Sequence, residues 1–143
     1  MTIEQLSVFV ENKPGKLVEA LETLAQAGID LRALSLADTS DFGILRLIVD
    51  KPHGALKVLQ DAGYLVKSSE VIPVSVGDKP GGLAGVLRIL ADSGVDVEYT
   101  YAFVSHAREK AYVILRVGDN EVALKAIRDN GITLLSGEDM YGM

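Results

Sequence analysis

Asn12-Lys13-Pro14-Gly15-Lys16-Leu17 and Asp78-Lys79-Pro80-Gly81-Gly82-Leu83 are two copies of one short stretch. Each copy ends an alternating apolar run and opens a helical pattern that closes on Gly28-Ile29-Asp30 or on Gly94-Val95-Asp96. Laying Val10–Asp30 over Val76–Asp96, an offset of 66 residues, gives 10 identities in 21 positions. The matches fall on Pro, on Gly and on the leucine rows of a helix. Self-similarity at a fixed offset sets the architecture before any local assignment is made. The chain is a duplicated unit.

Both copies read as the start of a helix. Pro14 and Pro80 suit a first helical turn, where the missing N–H would have had no partner. Asn12 and Asp78 stand where a side-chain oxygen can cap free amides. Gly15, Gly81 and Gly82 leave the backbone bare, so a small molecule can approach it. Unpaired N–H groups at a helix start attract anions, a carboxylate among them. One copy alone would be an ordinary capped helix; two copies, each with a carboxamide or carboxylate before Lys-Pro-Gly, point to a site.

The bulk properties bound the partners. A chain of 143 residues with an internal repeat is two halves, residues 1–69 and 70–143, each too small to be robust alone. Hydrophobic residues make up 48% and charged residues 24%, a globular composition. The net charge of −6 divides evenly, with 7 basic and 10 acidic side chains in residues 1–70 and the same in 71–143. Neither half has the basic footprint that nucleic acid or an anionic membrane requires. Without cysteine there is no disulfide, thiolate metal site or Cys nucleophile. No signal peptide or spanning run is legible, so the expected location is the cytoplasm.

Along the chain, Leu6, Val8 and Val10 alternate with Gln5, Ser7 and Phe9 as a strand. Leu17, Val18, Leu21, Leu24 and Ala25 make a helical stripe that stops at Gly28. Strands follow at Leu31–Ala37 and Phe42–Val49, then a helix from about His53 to Ala62 whose entry Asp50 is expected to cap, and a strand from Tyr64. The second half repeats the order: a helix with Leu83, Val86, Leu87 and Leu90, strands Val97–Phe103 and Ala111–Val117, a helix Glu121–Asn130, and a last strand Thr133–Tyr141. The hairpin grows by two residues, so Gly63 matches Gly131 at an offset of 68. Pro73, which cannot donate to a ladder, marks a bend or an edge. Val97, Tyr99, Tyr101 and Phe103 are expected on one strand face, as a packing row or with a tyrosine hydroxyl reaching a ligand.

A β-α-β-β-α-β unit with Asn/Asp-x-Pro-Gly-x-Leu between first strand and first helix, and Gly-β-branched-Asp after that helix, resembles the ACT domain. Val10–Leu17, Leu36–Thr39, Phe42–Val49, Val76–Leu83 and Gly94–Phe103 carry the likeness. The resemblance implies an α+β fold of two tandem ferredoxin-like units, each an antiparallel sheet with helices on one face. It also implies a free amino acid held at the loops Asn12–Leu17 and Asp78–Leu83, where ACT units meet. The family's polar ligand positions fall on Asn12, Asp30, Asp78 and Asp96, while Val10 and Val76 stand where the family often has a polar side chain. ACT units of metabolic enzymes are attached to a catalytic domain, which suggests a metabolic enzyme or a regulator as partner. Units this small leave apolar surface for a second copy to cover, so a homodimer is expected.

Other functions are weaker fits. His53 and His106 occupy non-equivalent positions, and Ser105 beside His106 has no oriented acid to complete a triad. Asp41-Phe42-Gly43 has the letters of a kinase element without its other parts. RNA-recognition modules share the topology but need stacking aromatics and a basic surface. The expected chemistry is therefore reversible binding, with no catalysis, metal or cofactor; a ligand-free dimerisation module that regulates a metabolic enzyme is the alternative. Between the loops, Asp78 in place of Asn12, Asp96 beyond the helix and Gly82 in place of Lys16 favour the second as the tighter site.

Overall fold

The computed structural model describes residues 2–39, 41–103 and 110–141. Its contacts divide the chain into two units, Glu4–Ser69 and the residues from Glu70 onward together with those up to Ile3.

The first unit runs β1 (Ile3–Glu11), α1 (Lys16–Gln26), β2 (Leu31–Asp38), β3 (Phe42–Val49), α2 (Pro52–Asp61) and the start of β4 (Val66–Gly77). Its sheet is antiparallel, with β3 between β1 and β2 and with Val10 opposite Gly43. The Phe9 N–H donates to the Leu65 carbonyl at 3.0 Å, which brings the chain entering β4 beside β1. The alternation in β1 aims Leu6, Val8 and Val10 at one face. There they meet Leu45, Leu47 and Val49 of β3, Ala20 and Leu24 of α1, and Ala55 and Leu59 of α2. Both helices thus cover the same face. Truncating a leucine such as Leu24 or Leu59 to Ala would cost about 2–5 kcal/mol, transfer and cavity terms together. The opposite face mixes apolar and polar side chains: Ile48 is buried there, as are Gln5 and Ser7, with Gln5 Nε2 3.5 Å from Ser7 Oγ.

The second unit continues β4 and adds α3 (Gly82–Asp92), β5 (Val97–Phe103), β6 (Lys110–Val117), α4 (Asn120–Asp129), β7 (Thr133–Leu134) and α5 (Gly137–Tyr141). β6 lies between β4 and β5, and β7 pairs with β4. Ile72, Val74, Val76, Val113, Leu115 and Val117 pack against Val86, Leu90, Ala123 and Ile127 of the two long helices. In each unit the first helix closes on a left-handed glycine, Gly28 at φ 74° and Gly94 at φ 75°.

Four expectations need correction. Pro14 and Pro80 do not open their helices. The Lys16 N–H donates to Lys13 O at 3.2 Å and the Gly82 N–H to Lys79 O at 3.0 Å, with Gly15 and Gly81 left-handed at φ 84° and 85°. Pro-Gly at the centre of a four-residue turn with positive φ on the glycine is a type II turn. The glycine then serves as N-cap, and neither α1 nor α3 has a side-chain cap, so Asn12 and Asp78 do not cap. Asp50 likewise leaves α2 uncapped and accepts instead from the Asp30 N–H at 3.0 Å.

The second correction concerns the row in β5. A register shift between Val97 and Tyr99 sends Val97 into the helix-side core, while Tyr99, Tyr101 and Phe103 pair with Arg116, Ile114 and Tyr112 on the other face. Third, the last strand ends at Leu134. Ser136 and Asp139 form a reciprocal box, Ser136 N–H to Asp139 Oδ2 at 2.8 Å and Asp139 N–H to Ser136 Oγ at 3.1 Å, and this starts α5. Fourth, Pro73 sits inside β4 opposite Ile114, and its carbonyl accepts from the Leu135 N–H. Ser105 and His106 lie outside the described residues.

Candidate functional site

The two Lys-Pro-Gly turns have the same local geometry. A tight i to i+2 bond precedes each one, Lys13 N–H to Glu11 O at 2.9 Å and Lys79 N–H to Gly77 O at 3.0 Å. The first helical bond of α1 is Glu19 N–H to Gly15 O and that of α3 is Gly85 N–H to Gly81 O. The N–H groups of Leu17 and Val18, and of Leu83 and Ala84, therefore precede the ladder, with no side-chain cap over them. Such a pair of amides at the positive end of a helix is suited to a carboxylate.

The side chains around the turns differ. In the first unit Asn12 Nδ2 donates to Asp38 Oδ1 at 3.0 Å, and the Asn12 N–H donates to Asp41 O at 3.2 Å, which ties the turn to the β2–β3 hairpin. Lys13 pairs with Glu11 at 3.2 Å and Lys16 with Glu19 at 3.6 Å. In the second unit Asp78 makes no side-chain hydrogen bond or ion pair among the described residues, and Lys79 lies over Gly77. The bare face of Gly82 is not open. A Cβ there would stand 2.1 Å from the Gly77 carbonyl oxygen, so backbone already fills that space. Two of the three differences that favour the second loop concern charge; this third one is packing within the loop.

Asp30 and Asp96 are exposed at the far ends of α1 and α3. Asp30 pairs with Arg32 at 3.1 Å, and its backbone is bonded to Asp50. The position matching Arg32 is Glu98, which pairs instead with Arg116 at 3.9 Å, so Asp96 has no such cation beside it in sequence. Each helix has 11 residues, roughly 16 Å at the usual rise. Within one unit the structure does not bring Asn12 to Asp30, nor Asp78 to Asp96. Tyr99 lies at the Asp96 end of β5, on the face away from the helices, and so is not gathered at the second loop.

A cleft of about 490 Å³ opens beside the first turn. Its walls come from Phe9, Val10 and Glu11 at the end of β1 and from Lys16 and Glu19 of α1. Phe42 at the start of β3 and the segment from Ala62 to Leu65 after α2 complete it. Of these, only Lys16 is legible in the sequence as a site residue. Glu11, Glu19, Phe42 and Tyr64 stand in four separate segments, and the only signal in sequence is that each differs in kind from its repeat partner. Among the described residues no three His, Cys, Asp or Glu side chains cluster as metal ligands, and no helix is long and apolar enough to cross a membrane. His53 is exposed, 3.5 Å from Glu4.

The family described as the ACT domain pair matches residues 1–143. The chain belongs to that family. As an ACT domain pair it is also similar to a crystallised protein from Bacteroides thetaiotaomicron, with 38% identity, 100% of this chain and 98% of that chain covered, and a TM-score of 0.93. Similar folds occur in the regulatory subunits of aspartate kinase from Thermus thermophilus and Thermus flavus. The first has 19% identity, coverage of 90% and 92%, and a TM-score of 0.64. The second has 18% identity, coverage of 88% and 90%, and a TM-score of 0.63. At those identities the likeness concerns fold. No curated protein matches the chain.

Proposed function

We propose that this ACT domain pair is a non-catalytic regulatory protein that binds a free amino acid reversibly. The ligand sits at the turns Asn12–Leu17 and Asp78–Leu83, where ACT units meet. The observation that carries this reading is the repeated type II turn, which leaves two helix-start amides uncapped in each unit. They take the ligand carboxylate. The ammonium needs acidic acceptors, and Asp78 and Asp96 are exposed carboxylates that flank α3. α3 separates those two by its whole length, so one ligand does not touch both within a unit. Asn12 and Asp30 obey the same geometry, and Tyr99 belongs with the Asp96 end. Binding at such a junction biases the packing between units and so signals to a partner such as a metabolic enzyme.

A ligand-free interaction module is the second reading, favoured by Leu34 and Leu36 on the edge strand β2, each 49% exposed. A thermal-shift screen of the full chain across the twenty amino acids separates the two. A ligand at 100 times its Kd adds about 2.7 kcal/mol of stability. A flat screen would favour the interaction module.

A further inference from the structure

The two units are versions of one fold, so each serves as a control for the other. The positions that wall the first-unit cleft have counterparts at offsets of 66 and 68, and the register confirms the match: Glu11 lies opposite Phe42 as Gly77 lies opposite Lys110. Glu11, Lys16 and Glu19 correspond to Gly77, Gly82 and Gly85. Phe42, Tyr64 and Leu65 correspond to Lys110, Ile132 and Thr133. The second unit builds the same strands, helices and core without any of the six first-unit side chains. Tyr64 also packs against the first unit's core, as Ile132 does against the second; the other five are surplus to the architecture.

They are also costly where they stand. Phe42 is 47% and Leu65 63% exposed, at places where the second unit has a lysine and a threonine. Large apolar groups held at the mouth of a concave cleft, with charges of both signs around them, are the usual composition of a small-molecule site. The volume of about 490 Å³ lies within the range of such sites.

We propose that this cleft is the first unit's ligand site, and that it selects an amino acid with a large apolar side chain. The proposal rests on the amino-acid-binding reading above and names the class of ligand for one of its two loops. The side chain packs on Phe42, Tyr64 and Leu65. The carboxylate goes to the uncapped Leu17 and Val18 amides at the positive end of α1, with the Lys16 ammonium beside them. The ammonium goes to Glu11 and Glu19, the acidic side chains in the cleft wall. The Lys16–Glu19 and Glu11–Lys13 pairs are exposed and weak, so the charges of a ligand readily replace them. The second unit, with three glycines at these positions, has no comparable preference.

The test is calorimetric titration of the full chain with L-phenylalanine, L-leucine, glycine, L-serine and N-acetyl-L-phenylalanine. The variants are Phe42→Lys and Glu19→Gln. Lysine is the residue that the second unit carries at the Phe42 position, and both positions are exposed, so the unliganded melting temperature is expected to hold. The expected result is that L-phenylalanine or L-leucine binds and the acetylated compound, which lacks an ammonium, does not. Each variant should weaken apolar binding at least tenfold. Apolar binding unchanged in both variants, or binding of the small polar amino acids alone, would overturn the cleft assignment while leaving amino-acid binding standing. Binding of none of the four free amino acids, together with a flat thermal-shift screen across the twenty, would overturn both. A change of oligomeric state in Phe42→Lys with L-phenylalanine affinity intact would also overturn it, and would make the cleft a protein interface.

Discussion

The Cα of Gly82 faces the carbonyl oxygen of Gly77 so closely that a methyl group added there would lie 2.1 Å from it. Three residues further on, Gly85 of the same helix has nothing within 4 Å of the equivalent position. Alanine in a helix ordinarily gains about 0.5–1 kcal/mol over glycine. At Gly85→Ala that gain should appear in full. At Gly82→Ala the backbone clash should outweigh it, for a net loss of about 1–3 kcal/mol typical of overpacking. Chemical denaturation of the two variants checks both signs.

Asp78 makes no cap and no ion pair among the described residues, so its removal should leave stability unchanged. As an ammonium acceptor it would lose a charge-assisted bond in Asp78→Asn and Asp78→Ala alike, about 1.5–3 kcal/mol of affinity at the second loop. Titration calorimetry reads this directly. Unchanged affinity in both Asp78→Asn and Asp96→Asn would move the search to Asn12 and Asp30.

Much of this was legible in the sequence because the repeat supplied two readings of every element. The strand at Phe42–Val49 and the strand at Val97–Phe103 have the expected bounds. What misled was local chemistry with two valid outcomes. Lys-Pro-Gly suits a helix start and a type II turn equally well, and only the bond from residue i+3 to Lys13 or Lys79 decides. The register shift after Val97 moves one side chain across the sheet, which no alternation pattern reveals. Ser136-Gly137-Glu138-Asp139 interrupts an apolar tail with a capping box, and the box won over the strand. The cleft was invisible for another reason: Glu11 and Phe42 meet only through the β1–β3 register, and Glu19 and Tyr64 join them only once α1 and α2 lie on the sheet.

The pH response of the chain end follows from Asp139. The Ser136 backbone N–H, and then the Ser136 hydroxyl, hold its carboxyl below the ordinary value of 3.8. The folded form therefore binds its proton less readily than the unfolded form. The stabilisation is fully present above pH 3.8 and is lost as pH falls through the lowered folded value. Amide exchange at Ser136 and Asp139 should accelerate in that acid range, and Asp139→Asn should remove the pH dependence. Exchange that stays pH-independent after correction for intrinsic rates would contradict this role.

Leu34 and Leu36 lie on the helix side of β2, opposite Leu47 and Leu45, yet each is 49% exposed. An edge strand with such a face invites pairing. Sedimentation at micromolar concentration should give a dimer, and Leu36→Lys should shift it toward monomer. A wild-type monomer would remove the prediction.

Amide chemical-shift mapping of the labelled full chain with amino acids added in turn tests the central reading most directly. A binding amino acid should move the amides of Leu17 and Val18, of Leu83 and Ala84, or of both pairs, in a saturable way. If no amino acid shifts any amide, or if saturable shifts avoid both turns, the chain is not an amino-acid sensor of the kind proposed.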